Sequence, residues 1–320
     1  MSIQPLEFEK PLFAMKDKIN ELEQMSQSMN VSLEGEIERL KTQADEVQIK
    51  LYRTLTPAQR LQIARHPQRP SCLDLIQMLS PDVWFELHGD RCGTDDRAII
   101  GGIMEIEGRP WMVLGTQKGK NMKENLVHNF GMANPEGYRK ALRLFQHAEK
   151  FNMPILTLID TPGAYPGMDG EQHGIGQAIA MNIREMARMH VPIISVVMGE
   201  ASSGGALGIG VANKIYLLEH ALYTVISPEG CASILWRSAE YASRAAEALK
   251  ITSHDLLEFG IIDGVIEEPT GGAHYDPNLC AERVKETVLL GLESVTSLGG
   301  SAEWIQQRYD KYRGIGAFCE

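Results

Sequence analysis

The chain carries, at residues 199–210, the stretch Gly-Glu-Ala-Ser-Ser-Gly-Gly-Ala-Leu-Gly-Ile-Gly. The apolar run Ile193–Met198 precedes it and is typical of a buried strand, and the small residues that follow indicate the start of a helix. Because Gly204 and Gly205 have no Cβ, their backbone N–H groups can approach a ligand oxygen closely. The positive end of the helix dipole adds to the attraction. The stretch therefore predicts an oxyanion hole at the end of a strand.

A second loop of the same kind lies upstream. The apolar run Ile155–Ile159 ends in Asp-Thr-Pro-Gly-Ala-Tyr-Pro-Gly at residues 160–167, and a helix is expected to begin near Gln172. Since Pro162 has no N–H, free amides are expected to begin at Gly163. Two such loops at the ends of neighbouring strands would aim amide donors into one cleft. The alternatives are a tight turn and a glycine pair that only lets a helix pack on a strand.

The composition predicts a soluble, cytoplasmic globular protein. The 320 residues have a formal net charge of −11 and a sequence pI of about 5.4, which disfavours a nucleic-acid partner held through phosphates. The 5 cysteines are far apart in the chain, so neither a disulfide framework nor a zinc ribbon is expected. We find no signal peptide and no apolar run of membrane-spanning length, and we expect no membrane partner.

The N-terminal part of the chain has a helical pattern of its own. Apolar residues recur at spacings of three and four within Leu12–Met29 and again within Leu33–Leu51, which predicts two amphipathic helices. The polar residues 26–32 are expected to form the turn of an antiparallel hairpin. We therefore assign residues 1–65 to a helical hairpin and residues 66–320 to a second domain. Packing on this second domain and contact with another subunit explain the apolar stripes equally well.

From residue 66 onward, predicted strands alternate with predicted helices, a pattern that favours an α/β fold. A strand pair is expected to turn at Gly108-Arg109-Pro110. The expected strands are 98–106, 111–116, 154–159, 193–198, 214–218, 222–226 and 261–266. The expected helices are 72–78, 134–151, 172–189, 204–212, three around Cys231, Ala245 and Leu256, and most of 277–312.

Several longer motifs identify a family. They are residues 160–167, Ser203–Ala206 (Ser-Gly-Gly-Ala) and Ile226–Trp236, with the flanking segments His66–Pro70 and Asn134–Leu144. These motifs follow the same order in the α subunit of bacterial acetyl-CoA carboxylase carboxyltransferase, which the chain resembles from its N-terminal helices to its C-terminal tail. The resemblance implies the ClpP/crotonase fold, an α/β spiral of ββα units, here preceded by the helical hairpin.

The resemblance also implies a reaction and its partners. Members of this family transfer the carboxyl group of carboxybiotin, carried on biotin carboxyl carrier protein, to acetyl-CoA. The product, malonyl-CoA, is made in the first committed step of fatty acid biosynthesis. The partner β subunit is expected to supply the acetyl-CoA side and a zinc ribbon in an α2β2 heterotetramer, and no metal is expected in this chain. Biotin carboxylase, the ATP-using component, belongs to the larger complex.

The same comparison implies roles for individual residues. Gly204 and Gly205 are expected to be the catalytic pair whose N–H groups face the ureido oxygen of biotin. Loss of the carboxyl group leaves negative charge on that oxygen, and the biotin anion can take the α-proton of acetyl-CoA. Fixed amide donors are then sufficient to stabilise the charge on this oxygen. No side-chain base is expected, because the biotin anion itself takes the proton. The substrate-binding residues implied with the pair are Gly163, Ala164, Tyr165, Ser203, Ala206 and Ser227.

Some features depart from the family pattern or leave alternatives open. Ala201-Ser202 precedes Ser203 where glycines are usual, and His173 stands where arginine is usual; we expect His173 to be solvated. The hydrolase motif G-x-S-x-G is not met at these serines. A non-enzymatic scaffold and a free-standing acyl-CoA hydratase or hydrolase are the competing functions. The basic segment Lys118-Gly119-Lys120 is expected to be a solvated loop, with contact to a CoA phosphate or to an acidic carrier as the alternative.

Overall fold

The computed structural model of the chain describes residues 3–29 and 33–316. A mixed sheet dominates them, with strand order β1-β2-β3-β4-β5-β6-β8 and with β7 paired to the end of β5. The first three strands are antiparallel and the remaining pairs are parallel. In chain order the strands are β1 Trp84–Glu86, β2 Ile99–Ile106, β3 Arg109–Thr116, β4 Ile155–Thr161, β5 Ile193–Ser202, β6 Lys214–Leu218, β7 Leu222–Thr224 and β8 Gly264–Ile266.

Helices connect and cover these strands. None of the helices within the described ranges is long and apolar enough to cross a membrane. In chain order they are α1 Lys10–Met29, α2 Glu34–Arg53, α3 Pro57–Ala64, α4 Cys72–Leu79, α5 Met122–Val127, α6 Pro135–Lys150, α7 Met168–Gln172, α8 Ile175–Arg188, α9 Ser203–Gly210, α10 Pro228–Trp236, α11 Ala242–Leu249, α12 Ser253–Glu258, α13 Pro277–Thr296 and α14 Ser301–Arg313.

The central strands β4 and β5 are buried on both faces. Every side chain of β5 is buried, and β4 exposes only part of Asp160. Near-continuous apolar runs are typical of parallel strands that are covered by helices on both sides. Helix α6 adds Tyr138, Leu144 and Phe145 to the same core. The packed sheet is therefore a rigid base for the loops that follow its strands.

Most predicted elements are confirmed, and the errors lie at their ends. Strand β5 does not end at Met198 but continues to Ser202, because β7 pairs with Glu200–Ser202. The predicted helix 172–189 is α8, which begins only at Ile175, after a left-handed glycine at position 174 (φ +80°); the short helix α7 ends at Gln172. Arg109 and Pro110 belong to β3 rather than to the turn. The elements β1, α5 and α7, of 3 to 6 residues, were not predicted because they are too short to show a period, and α3 was also missed.

The N-terminal hairpin has a small apolar core of its own. Helices α1 and α2 bury Leu12, Ile19, Ile37 and Ala44 against each other. The predicted turn at 26–32 includes residues 30–32, which lie outside the described residues. Helix α3 instead packs on the large sheet domain, where its Leu61 and Ala64 join Leu222, Ala246 and Ile251. The domain division at residue 65 stays a prediction.

Buried polar groups join the segment after α3 to the C-terminal part of the chain. Both η-nitrogens of Arg69 donate to the Glu268 carboxylate, at 2.6 and 2.5 Å. Although burial raises the pKa of Glu268, the Arg69 charge outweighs burial and lowers this pKa to about 2. The rings of His66 and His274 stack with their centroids 4.0 Å apart. Within the described part of the chain, neither ring nitrogen of His274 has a hydrogen-bond partner.

We predict that His274 makes folding sensitive to mild acid. Burial, followed by the charges of His66 and Arg69, lowers the pKa of His274 from 6.5 to about 3. Between these two values the unfolded chain binds a proton that the folded chain does not, so stability falls as the pH falls. Between pH 6.5 and pH 5 the unfolding free energy of the wild type should fall, and that of His274→Phe should fall by about 1.5 kcal/mol less. Urea unfolding at both pH values checks this, and equal losses would contradict it.

Candidate active site

Helix α9 begins directly where β5 ends, so the chain turns sharply between them. Ser203, the first helical residue, has φ +56°, a left-handed conformation that is unfavourable for a residue with a side chain. The N-cap residue Ser202 makes no side-chain hydrogen bond to the first turn. Since the first amides of a helix have no acceptor within that helix, the N–H groups of Gly204 and Gly205 have no backbone partner in α9.

The two predicted glycine loops meet at Gly205. A Cβ placed on Gly205 would lie 2.4 Å from both the Ala164 nitrogen and the Gly163 carbonyl carbon, so only glycine fits between them. Gly204 is different, because the nearest atom to a Cβ placed there is a side-chain carbon of Ile179 at 3.6 Å. Gly205 thus allows the loops to touch, whereas Gly204 has room for a Cβ in ordinary contact with Ile179.

The upstream loop presents one amide fewer than expected. Gly163 has φ +146°, and its N–H donates to the Thr161 hydroxyl at 3.1 Å. The Tyr165 N–H donates to the Ala133 carbonyl at 3.0 Å. Of the described residues, none accepts the N–H of Ala164, which lies between these two. The expectation that free amides begin at Gly163 is therefore wrong by one residue, because the Thr161 hydroxyl accepts the first one.

The remaining predicted site residues occupy different environments. Ser203 is exposed beside Gly204, whereas the side chain of Ala206 is fully buried in the core. The Tyr165 ring lies over Gly167, where an added Cβ would come within 2.3 Å of the ring hydroxyl. Ser227 caps α10, since its hydroxyl accepts the Gly230 N–H at 3.1 Å. The structure thus brings together Gly163, Ala164, Ser203, Gly204 and Gly205.

An apolar cavity of about 520 Å³ opens beside Ser203 and Gly204. Its walls come from β7, α12 and the end of α14, so they are not contiguous in sequence. Val225 is 78% exposed and Phe259 is 54% exposed, which is unusual for apolar side chains that share one surface. The other apolar wall residues include Leu207, Ile215, Tyr223, Leu249, Ile251, Leu256, Ile261 and Ile315.

Neighbouring helices fix the position of α9. The Tyr138 hydroxyl donates to the Gly205 carbonyl at 3.1 Å, and Asn182 Nδ2 donates to the Gly208 carbonyl at 2.9 Å. The Tyr138 ring also closes on Gly208, where a Cβ would lie 2.6 Å from ring carbon Cε1. Helices α6 and α8 therefore hold the first turn of α9 through buried hydrogen bonds and close packing.

Arg65, which follows the last residue of α3, connects the end of β5 to helix α10. Arg65 makes two hydrogen bonds to the buried carboxylate of Glu200, at 3.0 and 2.6 Å, and two to Glu229 in α10, at 2.6 and 3.3 Å. Burial alone lowers the pKa of Arg65, but the hydrogen bonds to these acids outweigh burial and raise it. The sequence analysis missed this pairing, because the partners are far apart in the chain.

The basic segment after β3 is not simply solvated. Lys118 Nζ donates to Asp160 Oδ1 at 2.7 Å and lies 3.9 Å from Glu200, while Lys120 pairs with Asp74 at 2.8 Å. These groups border a polar cavity of about 260 Å³. The expectation of a solvated loop is wrong for Lys118. In the sequence, the only indication of the Lys118–Asp160 ion pair was a lysine close to the end of a predicted strand.

His173 is exposed and its Nδ1 lies 3.2 Å from Glu136, as expected for a solvated residue. Across residues 3–29 and 33–316, no group of three or more His, Cys, Asp and Glu side chains is arranged to hold a metal ion.

Comparison with known proteins identifies the family. The family model described as acetyl co-enzyme A carboxylase carboxyltransferase-like matches residues 5–316. The chain belongs to this family. Curated relatives named acetyl-coenzyme A carboxylase carboxyl transferase subunit alpha include one from Nostoc sp., 53% identical over 98% of this chain and 96% of the relative. Another, from Synechococcus elongatus, is 51% identical with the same coverage of both chains.

Solved structures support the crotonase-type fold. The transcarboxylase 12S structure superposes with a TM-score of 0.56 and 20% identity, over 69% of this chain and 40% of that one. A Pseudomonas malonate decarboxylase hetero-tetramer gives 0.56 and 19% identity, over 75% and 95%. The geranyl-CoA carboxylase beta subunit of P. aeruginosa gives 0.55 and 18%, over 74% and 45%. The chain thus shares its fold with these transcarboxylase, decarboxylase and carboxylase proteins.

We predict that Tyr138→Phe weakens the anchoring of α9. The substitution keeps the ring against Gly208 but removes the hydroxyl that donates to the Gly205 carbonyl. The unfolding free energy should fall by about 1 kcal/mol, the usual value of one such hydrogen bond. Chemical denaturation measures the change. Tyr309→Phe, at an exposed position in α14, is the matched control and should have no effect; equal stability of both variants would contradict the anchoring role.

Proposed function

We propose that this chain is the biotin-side half of a carboxyltransferase, which moves the carboxyl group of carboxybiotin to acetyl-CoA and forms malonyl-CoA. The carboxybiotin is proposed to be a substrate carried on biotin carboxyl carrier protein. The observation that carries the proposal is the contact between Gly205 and the Gly163–Ala164 peptide, which gathers backbone amides from two strand ends at one point. Membership of the family supports the same reaction.

The proposed carboxyl transfer requires hydrogen-bond donors to the ureido oxygen and does not require a side-chain base. When carboxybiotin loses carbon dioxide, the electron pair of the broken N–C bond delocalises onto the ureido oxygen of biotin. We propose that the N–H groups of Gly204 and Gly205, at the positive end of α9, stabilise that charge and that the Ala164 N–H is a third donor. The biotin anion then removes the α-proton of acetyl-CoA, and the resulting enolate carbon attacks the carbon dioxide. Biotin and malonyl-CoA are the products.

The apolar cavity beside Gly204 suits the rest of the substrate. A biotin group has one polar ureido head and an otherwise largely apolar bicyclic body. A site with amide donors at one end and a wall of Leu207, Tyr223 and Val225 matches that division. Ser203, exposed at the boundary, is proposed to contact the same head group. Tyr165 and Ser227 are proposed as parts of the surrounding wall and loop, since neither faces the amides directly.

The exposed apolar surface supports a second chain in the active enzyme. Val225, Phe259 and Leu207 are substantially exposed around the cavity, and such a surface is typically covered by a partner. We propose that the partner is the β subunit, which would bring the acetyl-CoA side and its own zinc ribbon in an α2β2 heterotetramer. Biotin carboxylase would supply the carboxybiotin within the larger complex.

We predict that the isolated chain forms no malonyl-CoA from carboxybiotin and acetyl-CoA, because it provides donors for only one of the two substrates. Addition of a zinc-ribbon β subunit should restore carboxyl transfer. Malonyl-CoA is measured by mass spectrometry, with each subunit assayed alone as the control. Full activity of the purified chain by itself would overturn the half-site proposal. Hydration or hydrolysis of an acyl-CoA by that chain would favour the free-standing enzyme instead.

We predict that Gly205→Ala lowers carboxyl transfer by about 100-fold or more, the loss typical of a disabled oxyanion donor. The added methyl group would press on the Ala164 nitrogen and the Gly163 carbonyl carbon, so one loop must move away from the other. The rate is measured in the reconstituted complex, with assembly followed by size-exclusion chromatography.

Gly35→Ala provides the control for the glycine change. A Cβ at this position in α2 meets no atom within 4 Å, so the variant should transfer carboxyl groups at the wild-type rate. If the Gly205→Ala complex assembles and its carboxyl-transfer rate stays within about threefold of wild type, the oxyanion assignment is wrong, because loss of such a donor should lower the rate far more.

A further inference from the structure

The pairing of β4 with β5 contains a bulge immediately before the glycine loops. Ile159 pairs with Val197, but the next pair is Thr161 with Ala201. Residues 198–200 of β5 therefore lie opposite the single residue Asp160. With regular pairing, Ala201 would face Gly163 instead, a displacement of roughly 7 Å at about 3.3 Å per residue. The bulge thus decides which amides of the two loops come together.

The extra backbone groups of the bulge are satisfied by side chains. Asp160 Oδ1 accepts the Glu200 N–H at 2.9 Å, and Arg69 Nε donates to the Met198 carbonyl at 2.8 Å. Gly199 leaves room for the carboxylate, because a Cβ there would lie 2.7 Å from Asp160 Oδ1. Asp160 takes the place that a backbone carbonyl would have in regular pairing.

Charged partners hold the two acids of the bulge in place. Lys118 Nζ donates to the same Oδ1 atom of Asp160 at 2.7 Å, and Thr116 Oγ1 accepts the Asp160 N–H at 2.6 Å. On the other strand, Arg65 holds the Glu200 carboxylate with two hydrogen bonds. The side chain of Asp160 is only 14% exposed, so its hydrogen bonds are largely protected from water.

We infer that Asp160 is a positioning residue for carboxyl transfer, which holds the Ala164 amide opposite Gly204 and Gly205 by bridging the bulge from β4 to β5. The inference rests on the proposed function of those amides. Asp160 acts through the backbone and needs no contact with the substrate. Its effect should fall on the step in which charge develops on the ureido oxygen, because a misplacement of about 1 Å can cost about 100-fold in rate.

The test compares variants in the reconstituted complex. Asp160→Ala removes the bridge and should lower kcat by about 100-fold with KM for carboxybiotin within about threefold of wild type, because the lost stabilisation belongs to the transition state. Asp160→Asn keeps an oxygen that can accept from both Glu200 and Lys118, so it should restore most of the activity. Gly199→Ala pushes on the carboxylate from the other strand and should reproduce the kcat loss.

Asp263→Ala is the matched control. This carboxylate also accepts a strand N–H, from Ile215 at 2.7 Å, also pairs with a lysine, Lys311, and is 18% exposed. It lies away from the glycine loops, so its loss should reduce thermal stability while leaving kcat of the assembled complex unchanged. Equal kcat in Asp160→Ala and Asp263→Ala would overturn the inference. If Asp160→Ala does not assemble, wild-type kcat in Gly199→Ala overturns it in the same way.

The design separates this inference from the proposed function. If the wild-type complex transfers no carboxyl group, the proposed function is wrong. The Asp160 bridge between β4 and β5 is then tested separately by amide hydrogen exchange. In that measurement, peptides that cover 161–166 and 200–206 should exchange faster in Asp160→Ala than in Asp263→Ala. Equal exchange in the two variants would overturn the bridge itself.

Discussion

The hydrogen bond from the Glu200 N–H to the Asp160 carboxylate is the contact on which the rest of the site depends. Parallel strands end at a common edge, but where two loops meet there is set by the register of the last residues that pair. In this chain the register changes just before the loops begin, between Ile159 and Thr161. A buried side chain completes the interrupted ladder, so the shifted pairing costs few unsatisfied backbone groups.

The site combines this fixed register with unusually close packing. Glycine at position 205 lets a helix start touch the neighbouring loop, and Tyr138 closes on the next glycine of that helix. Ser203 accepts an unfavourable backbone angle at the turn between β5 and α9. Such strain persists only where surrounding contacts over-determine the conformation. The result is a small polar point made of backbone amides beside an apolar wall, a division that suits a ligand with one charged oxygen and an apolar body.

The fold and the two glycine loops could be predicted from the sequence, but the long-range contacts that fix the loops relative to each other could not. Apolar runs such as Ile193–Met198 and the glycines that follow predicted the strands and the loops after them, because period and glycine content are local properties. The extension of β5 to Ser202 depends on pairing with β7, and the loss of the Gly163 amide depends on a hydroxyl two residues away in a particular rotamer. The role of Arg65 depends on partners more than one hundred positions along the chain. Patterns within a short window carry no information on such contacts.

The buried ion pair between Arg69 and Glu268 has a consequence for how the site is built during folding. Arg69 supports the bulge through the Met198 carbonyl, but Glu268 lies far downstream of every glycine in the site. Contacts between residues so distant in sequence form late, because closing a long loop costs entropy before any contact is gained. A nascent chain that has released β4 and β5 can therefore pair these strands, yet it lacks the carboxylate that neutralises Arg69. The active geometry therefore forms only after Glu268 has been synthesised, later than the glycine loops themselves.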